Sequence, residues 1–187
     1  MALQPTRHLI TVDEYYRMAE AGILSEDDRV ELIEGEIIDM AAIGIPHAAC
    51  VDRLNMLLNR LLPESVIVRV QNPIYLNQRS QPQPDLALLK PQDYSRRKYH
   101  PDPSDVLWVI EVSDTTLTFD RKVKVPLYAR ASIPELWIVN LQEDSIEVYT
   151  QPGGDAYRQH QQLQRGQSLS IPGFPDLTLA VDDILGR

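Results

Sequence analysis

Pro84-Asp-Leu-Ala-Leu-Leu89 and Val106-Leu-Trp-Val-Ile-Glu-Val112 are the two stretches whose reading decides the fold. Asp85–Leu89 and Val106–Val112 are nearly continuous apolar runs, the pattern of central strands buried on both faces. Each carries one acid: Asp85 opens the first strand and Glu111 interrupts the second. A carboxylate taken out of water unpaired costs several kcal/mol, so a hard cation, an arginine or a proton must compensate it. Two carboxylates on neighbouring strands suit Mg²⁺ or Mn²⁺, which take oxygen ligands and leave positions for water and a phosphate. The plainer alternative is a Glu111 that faces solvent or pairs with an arginine.

Downstream of the second strand stands Asp120-Arg-Lys-Val-Lys124. Beside two metal-binding acids, a lysine can orient or help deprotonate an attacking water and offset charge growing on a phosphate. A solvated charge cluster at a helix start is the alternative.

Outward from this centre the chain reads as alternating elements. Thr11-Val-Asp-Glu14 has capping-box spacing and predicts a short helix through Ala21, stopped by Gly22. Val30–Ile33 and Ile37–Met40, punctuated by Gly35, predict a β-hairpin. Pro46 to Leu62 carries one apolar stripe, Val51, Leu54, Leu57, Leu58, Leu61 and Leu62, and predicts the longest helix. Val66–Val70 and Ile74–Leu76 read as extended, Asn77–Gln83 as a loop, and Lys90–Asp105 as an exposed connection. A helix is expected over Val123–Ala131, strands over Leu136–Val139 and Ser145–Tyr149, and one or two more strands between Leu169 and Leu185. One sheet with flanking helices is the simplest account, an α/β (α+β) class.

Composition narrows the function. With 187 residues the prior is one domain. No apolar stretch approaches the ~18 residues of a membrane span, and the first residues lack the apolar core of a signal peptide, so a cytoplasmic protein without membrane contact is expected. The single cysteine, Cys50, sits in the helical stripe and reads as core. A net charge of −9 disfavours strong non-specific binding to nucleic acid without excluding a local basic groove. There is no glycine-rich phosphate loop, G-x-S-x-G elbow or H-E-x-x-H.

Arg29-Val-Glu-Leu-Ile-Glu-Gly-Glu36, His47, Gln83-Pro-Asp85, Val109-Ile-Glu-Val-Ser113 and Lys124-Val-Pro-Leu-Tyr128 through Trp137-Ile-Val139 occur in one order across most of the chain. Together they resemble the PD-(D/E)XK nuclease superfamily. The resemblance is nearer to one family within it, small bacterial restriction-endonuclease-like proteins whose biological role is largely unassigned. It implies a restriction-endonuclease-like domain over 1–187, with a central mixed β-sheet flanked by helices and an N-terminal helix and hairpin. It implies Asp85 and Glu111 as metal-binding catalytic acids for Mg²⁺ or Mn²⁺, and Glu31 as an additional acid. Lys124, four residues before Tyr128, takes the place of the lysine that E-x-K spacing would put at Ser113; Lys122 competes with it. His47 falls near the acidic pocket as a secondary candidate, though by pattern alone it reads as a partly buried histidine.

Pro126 departs from the family pattern. Proline costs about 3 kcal/mol inside a helix, so no uninterrupted helix from Asp120 is expected. A start at Val123 or later places Lys124 at the positive helix end, with its pKa modestly lowered and a base-like role favoured. Asn140, where relatives tend to carry an acid, has little functional weight.

Arg96-Arg-Lys98 is the compact basic run and a candidate phosphate contact, or simply a solvated loop. The leading expectation is a metal-dependent endonuclease acting on nucleic acid, DNA ahead of RNA, with a homodimer suggested by analogy. A non-catalytic binding or assembly module on the same fold and a small-phosphoester hydrolase are the alternatives. The leading reading requires the Asp85 and Glu111 carboxylates to be close together on one face of the sheet.

Overall fold

The computed structural model describes residues 6–25 and 27–186; Met1–Pro5, on which part of the signal-peptide reading rests, lie outside the described residues. Helix α1 (Val12–Glu20) opens with the expected capping box, the Thr11 side chain accepting from the Glu14 N–H while the Glu14 carboxylate accepts from the Thr11 N–H. The hairpin follows as β1 (Val30–Ile33) and β2 (Glu36–Asp39), turning at Glu34 and Gly35 with φ of 51° and 84°. Two consecutive positive φ angles are what a two-residue type I′ turn demands. Glycine is required at the second for another reason as well: a Cβ on Gly35 would lie 2.6 Å from Leu9 Cβ.

Helix α2 (Ile45–Leu61) starts beside Pro46 and buries Cys50, Val51, Leu54 and Leu58. The main sheet has six strands in the order β3 (Ile67–Val70), β4 (Leu86–Leu89), β5 (Val106–Ser113), β6 (Glu135–Asn140), β7 (Ser145–Gly153), β8 (Ala156–Gln164). Every pairing is antiparallel except β5 with β6, and that parallel step needs a crossover over one face of the sheet. The crossover is helical from Leu117 to Arg130: α3 (Leu117–Phe119), a π-helical turn (Asp120–Lys124) and α4 (Val125–Arg130).

Alternation along β5 divides two cores. Trp108, Ile110 and Val112 pack with Leu54 and Leu58 on the α2 side, whereas Val109 packs with Leu127 and Tyr128 on the crossover side. Ala87 and Leu89 of β4 also face the crossover. By the same parity Asp85 and Glu111 turn towards the crossover and its lysine.

Four expectations need correction. The crossover helix does not begin at Val123: helical backbone runs through Asp120, and Pro126 is accommodated by the wider π turn. Val125 N–H bonds back to the Asp120 carbonyl, five residues away, so the hydrogen-bond ladder shifts register just before Pro126, which has no N–H to place in it. The sheet is not single, because β1–β2 and β9 (Ser168–Ile171) with β10 (Phe174–Ala180) form separate two-stranded sheets. Strand β8 is not foreseen; Ala-Tyr-Arg-Gln-His-Gln-Gln-Leu-Gln buries only Tyr157 fully, so an edge strand leaves almost no apolar signal. The chain also ends in a short helix, α5 (Val181–Leu185), whose last carbonyls accept from Arg53 of α2. Among the described residues no helix is long and apolar enough to cross a membrane.

Candidate active site

Asp85 and Glu111 meet across β4 and β5. The register that pairs Leu86 with Ile110 carries Asp85 alongside Glu111, and the Asp85 N–H lies 3.3 Å from Glu111 Oε2. The Val112 N–H donates in return to Asp85 Oδ2 at 2.8 Å. Two carboxylates directly opposite on one face repel, so this pairing persists only with compensation.

Compensation comes from three elements. Lys124, on the π turn, reaches down to donate to Glu31 Oε2 at 2.6 Å and to Glu111 Oε1 at 3.3 Å. Tyr128, one turn further, donates its hydroxyl to Glu111 Oε1 at 2.6 Å. His47, in the first turn of α2, places Nε2 3.0 Å from Asp85 Oδ2. Glu31 is delivered by β1, whose Leu32 carbonyl accepts from the Gln81 N–H at 2.7 Å, so that Glu31 Oε2 also accepts from the Gln83 N–H at 3.0 Å. Beneath the π turn, Asp120 Oδ2 accepts from Ser113 at 2.6 Å and from Thr116 at 2.7 Å.

Glu31, His47, Asp85, Glu111, Asp120 and Lys124 line one cavity of about 460 Å³, together with Arg29, the segment Met40–Gly44 and Phe119, while Tyr128 supports it from behind Glu111. Its floor is buried. Glu111 and Lys124 are 5% and 4% exposed, so neither charge is screened by bulk water. Burial pushes the Glu111 carboxyl up to about 8; Lys124 opposes the shift, and Asp85, Asp120 and Glu31 add to it. Burial alone would push the Lys124 ammonium down, but Glu111 and Glu31 outweigh it and hold its pKa above the ordinary lysine value. The expected lowering at a helix terminus is thus reversed by two carboxylates in contact. The hydrogen bond to Asp85 holds His47 up despite its burial.

The fit of a cation can be judged from the donors. Asp85 and Glu111 offer hard carboxylate oxygens, and Mg²⁺ is typically bound by one or two carboxylates while keeping several waters. Among the described residues no group of three or more His, Cys, Asp or Glu side chains is placed to hold a metal ion, and Lys124 is paired with both Glu31 and Glu111. The donor set therefore suits an open two-carboxylate site and not an all-protein cage.

The family model described as Uma2, "Putative restriction endonuclease", matches residues 12–182. The chain belongs to that family. A crystal structure titled as a putative nuclease belonging to DUF820 from Anabaena variabilis ATCC 29413 shares the fold, with a TM-score of 0.70 and 18% identity, covering 94% of this chain and 97% of that one. No curated protein matches the chain. The family match spans β1, β4, β5 and the crossover, so every acid of the cavity named above lies inside it.

Of the candidates read from the sequence of this Uma2 member, Asp85, Glu111, Lys124, Glu31 and His47 come together in the cavity. Lys122 does not: it is exposed and does not line the cavity. Arg96, Arg97 and Lys98 do not line it either. Arg97 is bonded to the buried Asp105 and Lys98 pairs with Asp13, which leaves Arg96 without a carboxylate partner among the described residues. Tyr128 was missed as a site residue; only its fixed distance from Lys124 could have signalled that both reach Glu111. Asp120 was missed because its partners, Ser113 and Thr116, lie across the strand–helix junction.

Proposed function

We propose that this Uma2 member is a metal-dependent phosphodiesterase of the endonuclease type, acting on nucleic acid, DNA ahead of RNA. One observation carries the reading: Asp85 and Glu111 stand opposite each other on one sheet face, with Lys124 bonded to Glu31 and Glu111 in the same cavity. Asp85 and Glu111 would hold Mg²⁺ or Mn²⁺. When bound, such an ion polarises a phosphoryl oxygen and acidifies a coordinated water.

The chain's own residues do the rest. Lys124 acts as an ammonium, since its pKa is raised, so it orients a water and offsets charge growing on the phosphate; it is not the base. Glu31 anchors that ammonium by accepting its hydrogen bond at 2.6 Å. Tyr128 fixes the Glu111 rotamer, and His47 fixes Asp85. Burial of the floor strengthens each of these interactions relative to water.

A second reading has its own support. The carboxylates already have partners in Lys124, Tyr128, His47 and the Val112 N–H, so the network could serve stability in a non-catalytic module. One experiment separates the two. Duplex DNA, single-stranded DNA and structured RNA are incubated with Mg²⁺ or Mn²⁺ and either wild type or Glu111→Gln. The enzyme reading expects cleavage that falls about 10²-fold or more in the variant. Equal cleavage by both proteins defeats it, and no cleavage of any substrate moves the weight to the module.

A further inference from the structure

The acidic cavity is not isolated. A second hollow, of about 770 Å³, lies between the β1–β2 hairpin, the turn at Asn77–Ser80 and the crossover, and it shares Ile38 and Phe119 with the first. Phe119 is half-buried and sits at the boundary, its inner side packed on the crossover-side core. Beyond it the wall is apolar, with Leu9, Val123 and Leu127, and then carries Arg79.

The charges in this second hollow are not equivalent. Glu34 is bonded to Arg130, and Glu36 to Arg7 at 2.6 Å. Arg79 is exposed, and its guanidinium has no ion pair or hydrogen bond among the described residues. Arg29 lines the acidic cavity, and its one guanidinium hydrogen bond is to the Ala41 carbonyl, at 3.1 Å. The path therefore runs from a cation, past the acidic floor, over an aromatic ring and an apolar wall, to a second uncommitted cation. Taken together the two hollows carry more carboxylates than cations, so Arg29 and Arg79, which have no carboxylate partner among the described residues, are the cations left for a phosphate.

A duplex presents phosphates outward and hides its bases, so an apolar wall beside the reacting phosphate would meet charge. A single strand presents both: phosphates for the arginines, and unstacked bases for the ring and wall. We infer that the joined hollows bind single-stranded nucleic acid, with a base adjoining the reacting phosphate stacked on Phe119 and a further phosphate held by Arg79. This inference rests on the phosphodiesterase reading for the position of the reacting phosphate.

The test is binding without added metal, read by fluorescence anisotropy on a labelled single strand and on its duplex of equal length, over a range of salt. The single strand is expected to bind about tenfold more tightly or better, and Phe119→Leu, which keeps an apolar side chain in the core but removes the flat face, to lose about tenfold. Arg79→Gln is expected to flatten the slope of log K against log salt by ~0.7, one phosphate contact on a single strand. Circular dichroism of both variants matched to wild type shows that folding is intact. Equal binding of duplex and single strand, or unchanged binding and salt slope in both variants, overturns the inference. Cleavage assays on the same substrates separate it from the parent reading. Glu111-dependent cleavage of duplex with no preference for the single strand overturns the groove and leaves the phosphodiesterase. Single-strand binding as expected with no hydrolysis of any polynucleotide overturns the phosphodiesterase and leaves the groove.

Discussion

Glu111 is buried beside Asp85 and relieved by Lys124, Tyr128 and the Asp85 N–H, and its carboxyl is pushed up to about 8 from an ordinary 4.5. Between those values the folded protein holds a proton that the unfolded chain has released. Stability therefore falls as pH rises through that window and levels off above it. His47 acts in the same sense: its pKa is raised by Asp85, so its stabilisation is complete below the ordinary histidine value and is lost as pH rises through its folded value. Urea unfolding without divalent metal should show higher stability near pH ~6 than near pH ~8.5, by up to roughly 1.4 kcal/mol per pH unit for each titrating group. Glu111→Gln should remove most of that slope, and parallel curves for variant and wild type would place the titration elsewhere. On the proposed metal-dependent reading, divalent metal should act in the opposite direction, because a carboxylate ligand must be deprotonated. At the upper pH, Mg²⁺ at about a hundred times its Kd should add ~2.7 kcal/mol in wild type, and Asp85→Asn should lose that gain. Lys124→Met, by contrast, leaves Glu31 and Glu111 buried without a counter-charge and should cost about 3–5 kcal/mol, partly recovered on acidification.

The π turn is the element on which the site depends. It carries Asp120, Arg121 and Lys124; Asp120, bonded to Ser113 and Thr116, and Arg121, bonded to Glu147 of β7, fix its start, and Lys124, bonded to Glu31 and Glu111, fixes its end. Glu147 is 1% exposed and also accepts from Tyr149, so Arg121 is its main counter-charge. Arg121→Met should destabilise the fold by about 1–3 kcal/mol through the orphaned carboxylate, less than for a fully buried pair because the guanidinium is partly solvated. Glu147→Gln with Arg121→Met should cost less than the single change, because no buried charge is left unpaired. If the single and double variants unfold at the same urea concentration, the pair does not hold the turn. The same element shows how far the sequence is readable. The parity that puts Asp85 and Glu111 on one face follows from period-2 alternation, and both strands read plainly because they are apolar. The lysine's position needed the family resemblance. Pro126 announces an irregular helix, but whether the chain breaks or widens there depends on the Arg121–Glu147 and Asp120–Ser113 contacts, which are long-range or span a junction. Strand β8 was unreadable for the opposite reason, being held by backbone pairing to β7 and burying little of its own.

Across the whole molecule the two cores lie back to back on one sheet. Leu54 of α2 and Leu127 of α4 are both buried, on opposite faces, and Trp108 and Val109 of one strand serve one core each. Neither face can lose its layer without exposing strands that the other layer needs, so the cores should melt together. We propose on this ground that residues 12–182, the span of the family match, unfold as one cooperative unit. Calorimetry should show a single transition whose calorimetric and van't Hoff enthalpies agree. Leu54→Ala and Leu127→Ala should each cost about 2–5 kcal/mol as cavities in separate cores. Each should lower that one transition by ~2–4 °C per kcal/mol, without splitting it. Because the sites lie on opposite faces and share no partner, the double variant should lose nearly the sum of the two. A second transition in Leu127→Ala alone would mean that the crossover layer, with Lys124 and Tyr128, unfolds apart from the sheet. On the proposed phosphodiesterase reading, cleavage would then be lost at a lower temperature than the main transition, and the cavity would be a separately melting part of the fold.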